Sequence, residues 1–235
     1  ATATATATET IEIALGIINP YNRHPAQIAM AIADLEELAG PRLTLGLGAA
    51  WSSLLMHGVE NPRPISALRE AGEICRALLK GERLTYEGKI FRFPDPGITI
   101  DFPLTRHEVP LYYGTLGPQT LAMASSMADG IIFSVFCSPD FIRNAMNHVQ
   151  TSVTKSGRSI EEMDIADYII FSVDEDGDAA RQAAKALVAH YVMRVTDTFR
   201  YEAAGLDPEN VAKIRKNLLE TEHQNRLNDG IANIP

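Results

Sequence analysis

The chain has 235 residues, room for one large domain or two small ones, and 46% hydrophobic with 22% charged content is that of an ordinary globular protein. A net charge of −9 with no cluster of Lys and Arg excludes general nucleic-acid binding. No apolar run reaches the roughly 18 residues of a membrane helix, and no signal peptide or lipidation motif is visible, which predicts a cytoplasmic protein away from membranes.

The opening Ala-Thr repeat, residues 1–8, has low complexity and fits either a disordered leader or a small-residue helix packed on a sheet. Ile11 to Ile18 then forms an apolar run with β-branched residues, the pattern of a buried parallel strand. Gly16 interrupts it where the backbone must bulge or meet a ligand closely. Asn19-Pro20 turns the chain, and Pro25 starts a helix at its first position, where its missing N–H costs nothing. Arg23 and His24 sit in this turn. His24 reads as a hydrogen-bonding loop residue before it reads as a general base.

In the following helix Ile28, Ala29, Ile32, Leu35, Glu36 and Ala39 fall on one stripe, and Gly40-Pro41 ends it. Arg42 to Trp51 is a second strand running into a glycine-spaced turn. Gly46-Leu-Gly48 is a fragment of a dinucleotide fingerprint without its third glycine, and it reads as close strand packing plus a turn. A helix follows over about residues 65–80. Residues 82–108 make an excursion containing a hairpin around Glu87-Gly88 and several prolines. Val109 to Thr115 is a strand, and Leu116-Gly-Pro118 opens a helix over 119–127. Its free N–H groups and positive end make an anion site.

Residues 131–134 form a short strand, 139–155 a helix, 164–173 a strand, and 176–203 and 207–222 two further helices. The paired carboxylates lie on helices or at helix starts and read as solvated groups. Cys75 and Cys137 are too far apart for a zinc motif, and no metal-ligand cluster is seen. The alternation of strands and helices is that of a parallel α/β sheet. Five barrel-type strands are found where a closed barrel needs eight.

The segments IALGIINPYNRHP, RLTLGLGAAW, LTYEGKIFRF, VPLYYGTLGPQTLAMASSMADGIIF and DIADYIIFSVDEDGDAARQAAKALVAHYV resemble the bacterial luciferase-like superfamily. Among its branches they are most similar to that of methylenetetrahydromethanopterin reductase and related deazaflavin enzymes. The resemblance implies a luciferase-like (β/α)8 TIM barrel in one domain over 1–235, here without the family's first two strands and its last one. It also implies coenzyme F420 (8-hydroxy-5-deazaflavin), or alternatively FMN, at the carboxyl ends of the strands.

On this resemblance Gly16-Ile17 falls at a non-prolyl cis peptide, a bulge behind the central ring of the cofactor. Ile18 and Asn19 flank the ring, and the backbone of Leu116 and Gly117 binds the cofactor phosphate. His24 and Trp51 are candidates for the substrate pocket, together with Tyr112 and Tyr113. Trp51 stands where several deazaflavin members have an acidic residue, and tryptophan there also occurs in flavin-type relatives. No catalytic acid or base is assigned.

The activity implied is hydride transfer with F420 to or from a small organic substrate, by an enzyme that self-associates. An FMN-dependent monooxygenase is the alternative, followed by a non-catalytic barrel relative and an open-sheet nucleotide-binding protein.

Overall fold

A computed structural model describes residues 1–49, 54, 58–59, 63–106, 108–194 and 205–232. They gather into two compact units, residues 1–133 with 148–166, and residues 134–147 with 167–235. The first contains a sheet ordered β1 (Ile13–Ile18), β2 (Leu43–Leu47), β5 (Leu111–Gly114), β6 (Gly130–Phe133), β7 (Asp164–Asp167), and a separate hairpin of β3 (Leu84–Glu87) and β4 (Arg92–Ile98). The pairs β1–β2, β2–β5 and β5–β6 are parallel, as the alternation with helices requires.

The opening repeat forms a helix, α1 (Thr2–Ala7), which packs on α2 (Pro25–Ala39). No side chain of α1 caps it. Arg42 donates to Ala5 O in its last turn at 3.2 Å, to the C-cap Thr8 O at 2.9 Å, and to Ile11 O beyond it at 2.6 Å. In α2, Pro25 occupies the first turn and Gly40 ends the helix at φ +68°, a left-handed conformation natural to glycine. The stripe read from the sequence is buried throughout. Its one charged member, Glu36, is 2% exposed. Glu36 accepts the Leu43 N–H at 3.0 Å and pairs with Arg106 Nε at 2.8 Å, so the excursion supplies the counter-charge.

A second carboxylate fixes the hairpin. Glu70, on α3 (Pro64–Leu79), takes the Lys89, Ile90 and Phe91 N–H groups at 2.7, 2.9 and 3.0 Å. Three consecutive backbone donors converge on one carboxylate, a nest filled by the protein's own side chain.

The two faces of the sheet differ in kind. Leu43, Leu45, Leu47, Leu111 and Tyr113 are at most 1% exposed. On β5, Leu111 and Tyr113 meet α3 at Gly72, and the Tyr113 hydroxyl donates to Leu68 O at 3.1 Å. The alternate positions are rich in glycine. The Leu15 carbonyl approaches β2 at Gly46, and the Tyr112 ring covers Gly130. The bland reading of Gly46-Leu-Gly48, close strand packing, describes what these glycines do.

Helices α4 (Pro118–Met127) and α5 (Pro139–Lys155) lie where the sequence places them. Two boundaries differ. The strand expected over 164–173 is paired only as far as Asp167, and Ile169, Phe171 and Val173 stay 76–83% exposed. Strand propensity needs a neighbouring strand to express itself, and among the described residues no pairing extends further. The last helix, α7 (Pro208–Ala232), runs past the expected end at Glu222. In the second unit α6 (Gly177–Arg194) and α7 share a small core of Val192 and Val211 with Phe136, Val188 and Leu206.

A candidate cofactor site at the carboxyl edge of the sheet

The register of β1 against β2 shifts between Leu15 and Ile18, so β1 carries one residue more than its partner across this interval. The Gly16–Ile17 peptide within it is cis, as the resemblance implies. The bulge lays Ile17 across the ends of two neighbouring strands. A methyl group added at Gly48 would stand 2.0 Å from Ile17 Cδ1, and one at Gly114 2.7 Å from Ile17 Cγ2. Both positions must therefore be glycine for Ile17 to lie where it does. Its outer side is open, at 39% exposure. The result is an apolar floor at the carboxyl edge, seated on the glycine that follows β2 and the last residue of β5.

Gly114 is the member that sequence reading missed. The sequence presents it as one more residue of the strand 109–115, although a glycine inside a strand is itself a signal of close approach.

Beside this floor α4 begins. Gly117 is its N-cap and Pro118 its first residue, and Leu121 N closes the first helical bond on Gly117 O at 2.8 Å. The N–H groups of Gln119 and Thr120 belong to the first turn and have no acceptor within the helix. The Thr120 hydroxyl donates to Gly117 O at 2.9 Å and meets the Thr115 hydroxyl. Among the described residues, a Cβ at Gly117 would touch only Thr120 Oγ1, at 3.5 Å. No residue from Leu111 to Met127 is charged. The local field is that of the backbone and the helix end.

The remaining predicted residues are placed as follows. Ile18 is half-buried at the end of β1. Asn19 uses its side chain within the protein, donating through Nδ2 to Ala49 O at 2.8 Å and accepting Tyr21 N–H at 2.9 Å. Leu116 precedes the N-cap and is half-buried. His24 caps α2, with Nδ1 accepting Ala26 N–H at 3.3 Å, and its ring stands edge-on to Phe91 and Phe93, each at 5.3 Å. That is the hydrogen-bonding loop role, and desolvation by burial lowers its pKa. Trp51, and with it His57, lies outside the described residues.

The two tyrosines turn elsewhere, against their expected place in the pocket. Tyr113 is buried against α3. Tyr112 donates to Asp164 Oδ2 at 2.6 Å, at the start of β7. Burial raises the pKa of both phenols, and for Tyr112 the bond to Asp164 adds to it. Alternation along β5 sends one ring to the helices and the other across Gly130, leaving Gly114 to face Ile17. Among the described residues no group of His, Cys, Asp or Glu could hold a metal ion, and no helix is long and apolar enough to cross a membrane.

Comparison with known proteins bears on family and fold. A family model described as Luciferase-like monooxygenase matches residues 1–232. The 5,10-methylenetetrahydromethanopterin reductase of Archaeoglobus fulgidus is 34% identical over 212 residues, covering 90% of this chain and 62% of the relative. The solved coenzyme F420 dependent tetrahydromethanopterin reductase of Methanopyrus kandleri superposes with a TM-score of 0.76 at 31% identity, over 88% of this chain and 63% of the other. A monooxygenase of Streptomyces bottropensis superposes at 0.69 with 22% identity, over 92% of this chain and 65% of the other, which shows a shared fold. The chain thus spans a little under two thirds of the length of these proteins.

Proposed function

The chain belongs to the luciferase-like monooxygenase family, and from that premise we propose that it is an oxidoreductase passing hydride between coenzyme F420 and a small organic substrate. The observation that carries the reading is the seat of Ile17. A branched apolar side chain lies over Gly48 and Gly114 with its outer side open, next to a helix start with free backbone donors. Ile17 and Ile18 suit one face of a flat ring. Leu116, Gly117 and the first turn of α4 suit a phosphate.

When bound, the deazaflavin supplies the two-electron chemistry. The chain's own part is to back the ring with an apolar wall, to exclude water from the covered face, and to hold the phosphate with N–H groups and the helix end. The F420-dependent reductase among the similar structures supports F420 ahead of FMN. FMN, used with oxygen by a monooxygenase, is the second reading, favoured by the description of the matching family model. A single partial barrel domain, a small-molecule substrate, self-association and a cytoplasmic location go with either.

The test is an absorbance titration of the full chain with F420 and then with FMN, in wild type and Gly117→Leu. Among the described residues only Thr120 Oγ1 stands near a Cβ at Gly117, so the variant can fold while filling the phosphate position. Saturable F420 binding, weakened at least about tenfold by Gly117→Leu, is expected from the loss of charge-assisted bonds. Unchanged affinity in the variant refutes the phosphate role. Binding of FMN alone moves the function to a monooxygenase, and binding of neither refutes both readings.

A further inference from the structure

The turn between β1 and α2 is bonded to both ends of another connection. Asn19 Nδ2 donates to Ala49 O at 2.8 Å, and the Tyr21 hydroxyl accepts the Arg63 N–H at 2.7 Å. Ala49 follows β2, and Arg63 is the N-cap of α3. Asn19 and Tyr21 are themselves locked together, because Asn19 Oδ1 accepts the Tyr21 N–H at 2.9 Å. The Asn22 and Arg23 N–H groups close the turn on Asn19 O, both at 3.1 Å. One short turn thus holds the points where the chain leaves β2 and enters α3, partners 30 and 42 residues away in sequence.

We propose that Asn19 and Tyr21 are positioning residues. They fix the two ends of the β2–α3 connection relative to Ile17, which stands two residues before Asn19, near the end of β1. Ala49 adjoins Gly48, over which Ile17 lies, so the turn that continues the floor also holds one of its supports. Asn19 acts through Ala49 and Tyr21 rather than through the ring, since its carbonyl oxygen and an amide hydrogen are committed within the protein. The inference takes its ligand from the cofactor reading above.

The test combines amide hydrogen exchange with F420 and FMN titrations on the full chain. Tyr21→Phe removes only the hydroxyl acceptor. Exchange at the Arg63 N–H should then speed up about fivefold or more, the effect of one lost hydrogen bond. Cofactor affinity should fall about threefold or more. Asn19→Asp keeps the acceptor for Tyr21 but loses the donor to Ala49. The Tyr21 N–H should stay protected while affinity falls by a similar factor. A role in stability alone would lower the melting temperature and leave affinity untouched.

Unchanged exchange at Arg63 in Tyr21→Phe overturns the grip on α3. Faster exchange with affinity within about twofold of wild type overturns the positioning role and leaves the cofactor reading standing. Wild type that binds neither compound overturns the cofactor reading, and the positioning role with it.

Discussion

Alanine at position 114 would place a methyl group 2.7 Å from Ile17 Cγ2 and 3.7 Å from Cδ1. Carbon atoms in ordinary contact stand about 3.5–4.0 Å apart, so Ile17 must retreat by about 1 Å. Cγ2 is bonded to Cβ, and swinging the chain end does not relieve the clash. Overpacking costs about 1–3 kcal/mol. The open outer side of Ile17 places this case low in that range. Alanine also restricts the unfolded chain relative to glycine, which returns part of the cost. The net loss in a urea unfolding experiment should be about 1 kcal/mol.

Affinity should suffer more than stability, because Ile17 moves into the space above the floor. A tenfold weaker F420 titration, about 1.4 kcal/mol, is expected. Ile17→Ala in the same background removes both Cγ2 and Cδ1. The stability cycle should then show a coupling of about 1 kcal/mol between the two positions. Additive single effects, or a Gly114→Ala variant with wild-type stability and affinity, would refute the seating of Ile17 on Gly114.

Three further outcomes follow from individual side chains. Glu70→Gln keeps the size but leaves one acceptor oxygen for three N–H groups, costing about 2–3 kcal/mol. Exchange at residues 89–91 should rise first, and wild-type protection there would contradict the nest. Burial pushes the Cys75 thiol up to about 12, so alkylation at pH about 8 should reach partly exposed Cys137 first and Cys75 only on unfolding. Mass spectrometry decides this, and equal labelling rates would speak against the burial. His24 is held below the ordinary histidine value of 6.5, so the unfolded chain takes up this proton first. Stability should therefore fall as pH drops below about 6.5 toward the folded value, while protonation also removes the Nδ1 acceptor from the Ala26 N–H. His24→Asn keeps a capping oxygen and should flatten that limb of the curve. An identical pH dependence in the variant would exclude His24 as its source.

Local chemistry made much of the fold legible. Pro25, Pro64 and Pro118 start their helices, Gly40 ends one, and the stripe from Ile28 to Ala39 faces inward. Those signals act over a few residues and leave a direct mark in the sequence. What stayed hidden depends on partners far along the chain. Glu36 in an apolar stripe makes sense only once Arg106 is beside it. Ile169 to Val173 have the composition of a strand without its pairing. The floor at Ile17 draws on residues 17, 48 and 114, and only its first two members stood out as turn glycines or bulge. The helix start at Gly117-Pro118 was legible because proline at the first helical position leaves its own mark in the sequence.

The pairing of Glu36 with Arg106 ties the fate of the 82–108 excursion to a residue on α2. Anyone shortening the protein by trimming that excursion would strand a carboxylate in the core, still facing the Leu43 N–H but stripped of its cation. The deletion would become tolerable only with an uncharged acceptor at position 36. In a lineage the two sites should change together or not at all. A surface insertion that looks dispensable from its prolines is thereby bound to the interior by one arginine.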